Sequence, residues 1–166
     1  MKKYAIIVAG GSGTRFGSTL PKQFIPLGGV PVLMRTIKAF ADYDRDINIV
    51  VALPSEHLTL WGDLCALRNF DVPHKVVEGG ANRFESVRNA LFAVNETECL
   101  VAVHDGARPL VSRQVIAAGF ETAARCGTAI PTVPVTDSIR QLDRNGRPKR
   151  EPRVACSRTD TADIPR

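Results

Sequence analysis

An α/β fold is predicted, with a mostly parallel, doubly wound, Rossmann-like sheet and a projecting β-arm. Three observations lead there: short β-branched runs alternate with amphipathic helical stripes, the first run opens into a Gly-rich turn, and residues 133–153 change texture to a polar hairpin pattern. The 166 residues are 44% hydrophobic and 23% charged, which suits one soluble globular domain over 1–166 with the arm as its subdomain.

The first run, Tyr4 to Ala9, is followed by strand patterns at Ile47 to Leu53, His74 to Glu78, Leu100 to His104 and Thr128 to Val135. Between them, Val32, Leu33, Thr36, Ile37 and Phe40 make one helical stripe. Phe84, Val87, Leu91 and Val94 make a second, and Ile116, Phe120, Ala123 and Ala124 a third. Alternating strand and helix gives βαβ units, whose ligands bind beyond the carboxyl ends of the strands. In the arm, Ile139 and Leu142 flank polar residues and Asn145-Gly146 supplies a hairpin turn. Charged and poor in apolar residues, such an arm gains stability by pairing with a second subunit, so a homodimer is expected.

The apolar run near the start is far short of the ~20 residues a membrane helix needs. Lys2 and Lys3 before it imitate a signal peptide, but Gly10 and Gly11 end the run and no small-residue cleavage site follows. No membrane association and a cytoplasmic location are therefore expected. Cys65, Cys99, Cys126 and Cys156 form no C-x-x-C pair, which argues against zinc and a disulfide scaffold. A net charge of +5 is too dispersed to mark a nucleic-acid binder. Its placement says more. Residues 1–41 contain no Asp or Glu but carry Lys2, Lys3, Arg15, Lys22, Arg35 and Lys38, as an anionic small ligand or a solvated basic face would favour.

The turn Ala9-Gly10-Gly11-Ser12-Gly13-Thr14-Arg15-Phe16-Gly17 lets backbone N–H groups approach phosphate oxygens. It is not a Rossmann G-x-G-x-x-G from Gly11, because Phe16 stands where the last Gly is due, and no Walker Gly-Lys-Ser/Thr is present. That opposes a hydride-transferring dehydrogenase. Arg15 and Lys22 add two cations on a segment able to fold over whatever the glycines hold, the arrangement polyphosphate transfer needs.

The string A-G-G-S-G-T-R-F-G-S-T-L-P-K-Q-F, residues 9–24, resembles the signature of sugar-phosphate nucleotidyltransferases, most closely the 2-C-methyl-D-erythritol 4-phosphate cytidylyltransferase family. The resemblance implies CTP and a polyol phosphate as substrates, magnesium as cofactor, and a place in isoprenoid precursor biosynthesis by the non-mevalonate pathway. It implies nucleotide binding at Ala9, Gly10, Gly11, Ser12 and Gly13, with Arg15 and Lys22 catalytic. Residues 78–87, E-G-G-A-N-R-F-E-S-V, resemble the segment that recognises cytosine, here through Gly80, Ala81 and Ser86. Apart from the family, Asn82 with Glu85 three on reads as a capping box, and both readings can hold. The segment Val103-His104-Asp105-Gly106-Ala107-Arg108-Pro109 resembles H-D-x-A-R-P, which implies that Asp105 binds magnesium and substrate and that Arg108 holds substrate. Asp105 also suits a plain turn before Gly106.

The mechanism implied is attack of a phosphate oxygen on the α-phosphorus of CTP with loss of pyrophosphate. Its nucleophile is already ionised at neutral pH, so no general base is needed, and His57, His74 and His104 are not cast as one. Asp137 and Ser138 match the family's acceptor-holding segment, and Arg150 or Arg153 would reach a neighbouring subunit's site. A ribitol 5-phosphate cytidylyltransferase is the alternative, against which Gly106-Ala107 weighs, and a nucleotide-binding chain without turnover is another. Residues 157–166 depart from the family where Q-T-P-Q-x-F is due. They can be encoded by DNA that, read one nucleotide later, gives Leu-Val-Gln-Thr-Pro-Gln-Thr-Phe-Arg. A truncation or frame change near 150–156 is thus expected, leaving Cys156 and the last ten residues without a role and poorly packed, and the site short of its C-terminal groups, so that this chain binds CTP weakly and turns over slowly or not at all.

Overall fold

A computed structural model describes residues 1–11, 20–132, 144, 145 and 147, and the backbone of 162–165. The chain runs β1 (Lys2–Val8), a 3-10 turn (Lys22–Phe24), β2 (Pro26–Leu27), β3 (Val30–Pro31), α1 (Val32–Tyr43), β4 (Asn48–Leu53), a second 3-10 turn (Ser55–His57) and α2 (Leu58–Leu67). It continues through β5 (Lys75–Glu78), α3 (Arg83–Leu91), β6 (Cys99–Asp105), α4 (Arg113–Cys126), β7 (Ala129–Thr132) and β8 (Ala162–Pro165).

The central sheet has the order β5-β4-β1-β6 and every pair in it is parallel. From β1 the chain steps outward to β4 and β5, then crosses back to place β6 on the other side of β1. The direction of winding reverses beside β1, which opens a crevice at the carboxyl ends of these strands.

Period-two alternation divides the core. Ala5, Ile7, Ile49, Val51 and Leu53 pack with Leu33, Met34, Ile37 and Phe40 of α1, Trp61 of α2, and Ile116 and Phe120 of α4. Tyr4, Ile6, Val8, Val50 and Ala52 face the other way, against Ala90 of α3. Helices thus cover both faces, and the α/β, doubly wound expectation holds. The stripe at 32–40 becomes α1, whose Leu33, Met34, Thr36, Ile37 and Phe40 are buried. Helix α4 starts on a Ser112 cap that accepts from Val115 N and stops at Gly127, whose φ of 83° suits glycine.

Three features differ from expectation. Helix α2 gave no clean stripe because Leu58, Leu60, Trp61, Leu64, Ala66 and Leu67 are apolar almost all round; only Trp61 is fully buried. The stripe at 84–94 holds in part: Val87 and Val94 pack against the core, but Phe84 is 73% exposed, Leu91 is exposed, and the fully buried residues of α3 are Ser86 and Ala90. The small Ala90 of α3 packs there against Tyr4, Ile6, Val8, Val50 and Ala52 of β1 and β4. The fifth strand pattern yields β7, which stands outside the main sheet and pairs in parallel with β8. Residues 162–165 therefore carry a backbone ladder, from Ala129↔Ala162 to Thr132↔Pro165, where poor packing was expected.

Arg144 and Asn145 lie in a turn; the rest of the arm, 133–153, lies outside the described residues apart from Arg147. Ser12, Gly13, Arg15, Asp137, Ser138, Arg150, Arg153 and Cys156 also lie outside them. Among the described residues, no helix is long and apolar enough to cross a membrane.

Candidate functional site

Three turns leave the carboxyl edge of the sheet, and each is pinned to the strand beside it. Ala9 N donates to Ala52 O at 2.9 Å, Gly79 N to Leu53 O at 2.8 Å and Gly106 N to Val8 O at 2.8 Å. The parallel ladders are in effect extended one residue past the strands, so the turns start from fixed positions. A buried Thr36 hydroxyl donates to Gly106 O at 2.9 Å and joins α1 to the third turn. Glycine is needed at 106: a Cβ there would stand 2.8 Å from Ala9 Cβ and 3.2 Å from Val8 O.

The turns enclose a cavity of about 910 Å³. Ala9, Gly10 and Gly11 line it from β1, Lys22 and Gln23 from the 3-10 turn, Gly80, Ala81, Arg83 and Ser86 from α3 and its approach, and Asp105 and Arg108 from the end of β6. Every sequence-predicted site residue that the structure describes meets in this one space. Its described lining carries three cations, Lys22, Arg83 and Arg108, against one carboxylate, Asp105. Such a balance favours a polyanionic ligand.

The P-K-Q-F segment is held from beneath. Gln23 is 2% exposed and its Nε2 donates to Ala9 O at 2.7 Å, while Phe24, 1% exposed, stacks on Trp61 at 6.2 Å and meets His57 edge-on at 5.5 Å. Lys22 is thereby carried at the cavity edge on a turn whose next two side chains are buried.

At the start of α3, Asn82 caps the helix by accepting from Glu85 N at 2.9 Å. The Glu85 carboxylate reaches one residue beyond the cap, accepting from Ala81 N at 2.8 Å, a variant of the capping box read from the sequence. Gly80 N donates to Ser86 Oγ at 3.0 Å, and Ser86 Oγ donates to Asn82 O at 2.9 Å. A Cβ on Gly80 would collide with Glu85 Cβ, so the fold around the cap excludes any larger residue there. The N–H groups of Gly80 and Ala81 are thus both committed within the turn.

Asp105 is bracketed by two guanidinium groups: Arg83 Nη2 lies 3.2 Å from Oδ1 and Arg108 Nε lies 2.8 Å from Oδ2. Partial burial is the largest single influence on this carboxyl and opposes ionisation. Hydrogen bonds from Arg108 and Arg83, with their charges, outweigh it and hold the group below the ordinary aspartate range. On the opposite side of β6, His104 packs edge-on to Phe40 at 5.2 Å, and its Nδ1 is buried with no hydrogen-bond partner among the described residues. Burial pushes its pKa down against the opposing pull of Asp105.

The described residues contain no group of three or more His, Cys, Asp or Glu side chains able to hold a metal. Asp105, the one carboxylate among the described lining residues, has both oxygens on arginines. These residues do not by themselves make a resident magnesium site. Sequence reasoning had not singled out Arg83 or Gln23. A cation at the first position of a helix, where the dipole disfavours it, is a signal that could have found Arg83.

Residues 4–151 match the family model for 2-C-methyl-D-erythritol 4-phosphate cytidylyltransferase. The chain belongs to this cytidylyltransferase family. It is similar to the 2-C-methyl-D-erythritol 4-phosphate cytidylyltransferases of Azobacteroides pseudotrichonymphae, at 49% identity over 147 residues, and of Phocaeicola vulgatus, at 47% over 146. Each comparison covers 88% of this chain and 66% of the relative, so the chain spans just under two thirds of the length of these cytidylyltransferases. The crystal structure of 4-diphosphocytidyl-2C-methyl-D-erythritol synthase from Anaerococcus prevotii shares the fold, with a TM-score of 0.73 and 23% identity, over 89% of this chain and 62% of that one. The bifunctional IspDF structure from Campylobacter jejuni gives 0.71 at 26% identity, over 90% and 37%.

Proposed function

We propose that this chain binds CTP in the cavity and transfers its cytidylyl group to 2-C-methyl-D-erythritol 4-phosphate, releasing pyrophosphate. The observation that carries the reading is the joint lining of one cationic cavity by the β1 turn, Lys22, the Gly80–Ser86 turn and the Asp105–Arg108 turn, in a chain of this family.

A phosphate monoester has its second pKa near ~6, so the acceptor arrives ionised and attacks without a general base. One of its oxygens bonds to the α-phosphorus of CTP while the bond from that phosphorus to the β-phosphate bridge breaks, and the electron pair leaves with pyrophosphate. The protein's part is to align the two phosphates and offset charge on the non-bridging oxygens. Lys22 and Arg15 are proposed for that role, the β1 turn with Ser12 and Gly13 for holding the triphosphate, and Gly80, Ala81 and Ser86 for the base. Asp105, Arg108, Asp137 and Ser138 are proposed to hold the acceptor. Magnesium enters this proposal as the counter-ion that travels with the triphosphate, with Asp105 the carboxylate nearest at hand. A homodimer through the β-arm and a cytoplasmic location complete the reading.

The test is calorimetric titration with CTP, UTP, ATP and GTP beside pyrophosphate release with methylerythritol phosphate and ribitol 5-phosphate. Preference for CTP with release on methylerythritol phosphate is expected. Faster release with ribitol phosphate would select the alternative acceptor, CTP binding without release would leave a nucleotide-binding module, and equal affinity for ATP would sink the cytidylyl reading.

A further inference from the structure

We infer that Gln23 is a positioning residue, which ties the outgoing end of the β1 turn to its incoming end and so fixes Lys22 against bound phosphates. The inference rests on the reading of Lys22 as the group that meets those phosphates.

A glutamine is seldom fully buried, and when it is its amide is spent on a specific partner. Gln23 is 2% exposed, and its partner is neither a helix end nor a neighbour in sequence: it is the Ala9 carbonyl, 14 residues back and 2.7 Å away. Ala9 is the last residue before Gly10. Its N–H is already given to Ala52 O at 2.9 Å. One bond to β4 and one to Gln23 hold the residue from both sides, and with it the point where the Gly-rich segment departs.

The same bond fixes the other end of that segment. Phe24 N donates to Pro21 O at 2.9 Å and the Phe24 ring is packed against Trp61 and His57, so the backbone of Lys22 lies between a proline and two buried side chains. Ala9, Lys22 and Gln23 all line the cavity. A leucine or methionine at 23 would fill the same buried space but leave the Ala9 carbonyl without this donor. The chemistry that distinguishes glutamine at this place is therefore the closure of the segment from 10 to 22 at its base, with Lys22 set at the closing point.

The test compares wild type with Gln23→Met, which keeps length and removes the donor, and Gln23→Leu, which removes the donor with a shorter side chain. Affinities for pyrophosphate, CTP and cytidine are measured by calorimetry, with the melting temperature of each variant. Pyrophosphate and CTP should each weaken by about tenfold or more, while cytidine changes by less than about twofold. In the Lys22→Ala background, Gln23→Met should have little further effect on pyrophosphate, as expected of a residue that acts through the lysine. Unchanged pyrophosphate affinity, or a parallel loss for all three ligands, would overturn the inference. If Gln23→Met does not fold, Gln23→Leu carries the comparison. A wild type that binds pyrophosphate yet prefers no nucleotide would refute the cytidylyl reading, and Gln23 would still be judged on pyrophosphate.

Discussion

Arg83 at the start of α3 reaches Asp105 at the end of β6, Nη2 to Oδ1 at 3.2 Å across 22 positions of sequence, and so joins the Gly80–Ser86 turn to the Asp105–Arg108 turn. Both side chains are substantially exposed, at 61% and 39%, so the pair contributes at most about 1 kcal/mol to stability. Its consequence is electrostatic. Arg83→Ala removes one of the two cations that keep Asp105 ionised, and the Asp105 carboxyl should titrate higher than in wild type. Carbon-13 NMR of the aspartate carboxyls checks this; an unmoved midpoint would show that Arg108 alone sets it. The sign for stability follows from the depressed folded pKa: the contribution is present above the unfolded value of 3.8 and is lost as pH falls through the folded one.

His104 acts in a separate, higher window. Its folded pKa lies below the unfolded 6.5 because burial against Phe40 disfavours the cation. The neutral ring therefore contributes stability that is complete above 6.5 and is lost as pH falls through the folded pKa. The melting temperature should drop from about pH 7 to about pH 5 in wild type, and drop less in His104→Leu. Equal pH slopes in the two proteins would exclude this histidine as the source.

Phe84 tests where the stripe of α3 departs from burial. Because it is 73% exposed, Phe84→Ser should change stability by no more than about 0.5 kcal/mol. Ala90 is fully buried against the sheet, and Ala90→Leu should cost about 1–3 kcal/mol through overpacking. Urea unfolding of both variants decides it; a large loss on Phe84→Ser would restore the stripe read from hydrophobicity.

Legibility in the sequence follows from which physical signals are local. The strands β1 and β4 were readable because both faces are buried and β-branched runs result, whereas the more exposed β5 and the half-buried β6 were readable from their valines. Helix α1 was readable from its period, and the Asn82 cap from residue types alone. The stripe at 84–94 was legible only in part: Val87 and Val94 pack on the sheet, but burial in α3 selects small Ser86 and Ala90 over the large, exposed Phe84. The Arg83–Asp105 and Gln23–Ala9 bonds were not readable, since both join positions that only the winding of the sheet brings together.

Lys22 offers a kinetic test of the proposed transfer. Lys22→Ala should lower kcat by on the order of 10² or more, with a much smaller effect on melting temperature, if the ammonium meets charge that grows in the transition state. A near-normal kcat would remove Lys22 from the mechanism.

The Gly80–Ser86 turn, proposed to hold the base, yields the most specific expectation. Gly80 N–H is spent on Ser86 Oγ, Ala81 N–H on the Glu85 carboxylate, and the Ser86 hydroxyl proton on Asn82 O. A base placed there meets oxygen acceptors. Cytosine carries a 4-amino donor at the edge where uracil carries an oxygen, and an oxygen facing acceptors leaves buried groups unpaired at about 1–3 kcal/mol. CTP should therefore bind about 10- to 100-fold tighter than UTP. Glu85→Ala releases Ala81 N–H as a donor that uracil can use, so the CTP-to-UTP ratio should shrink, while Glu85→Gln keeps an acceptor for that N–H and should preserve most of it. Competition binding of the two nucleotides to the three proteins makes the comparison. A ratio that stays the same in Glu85→Ala would mean that base choice is set elsewhere in the cavity.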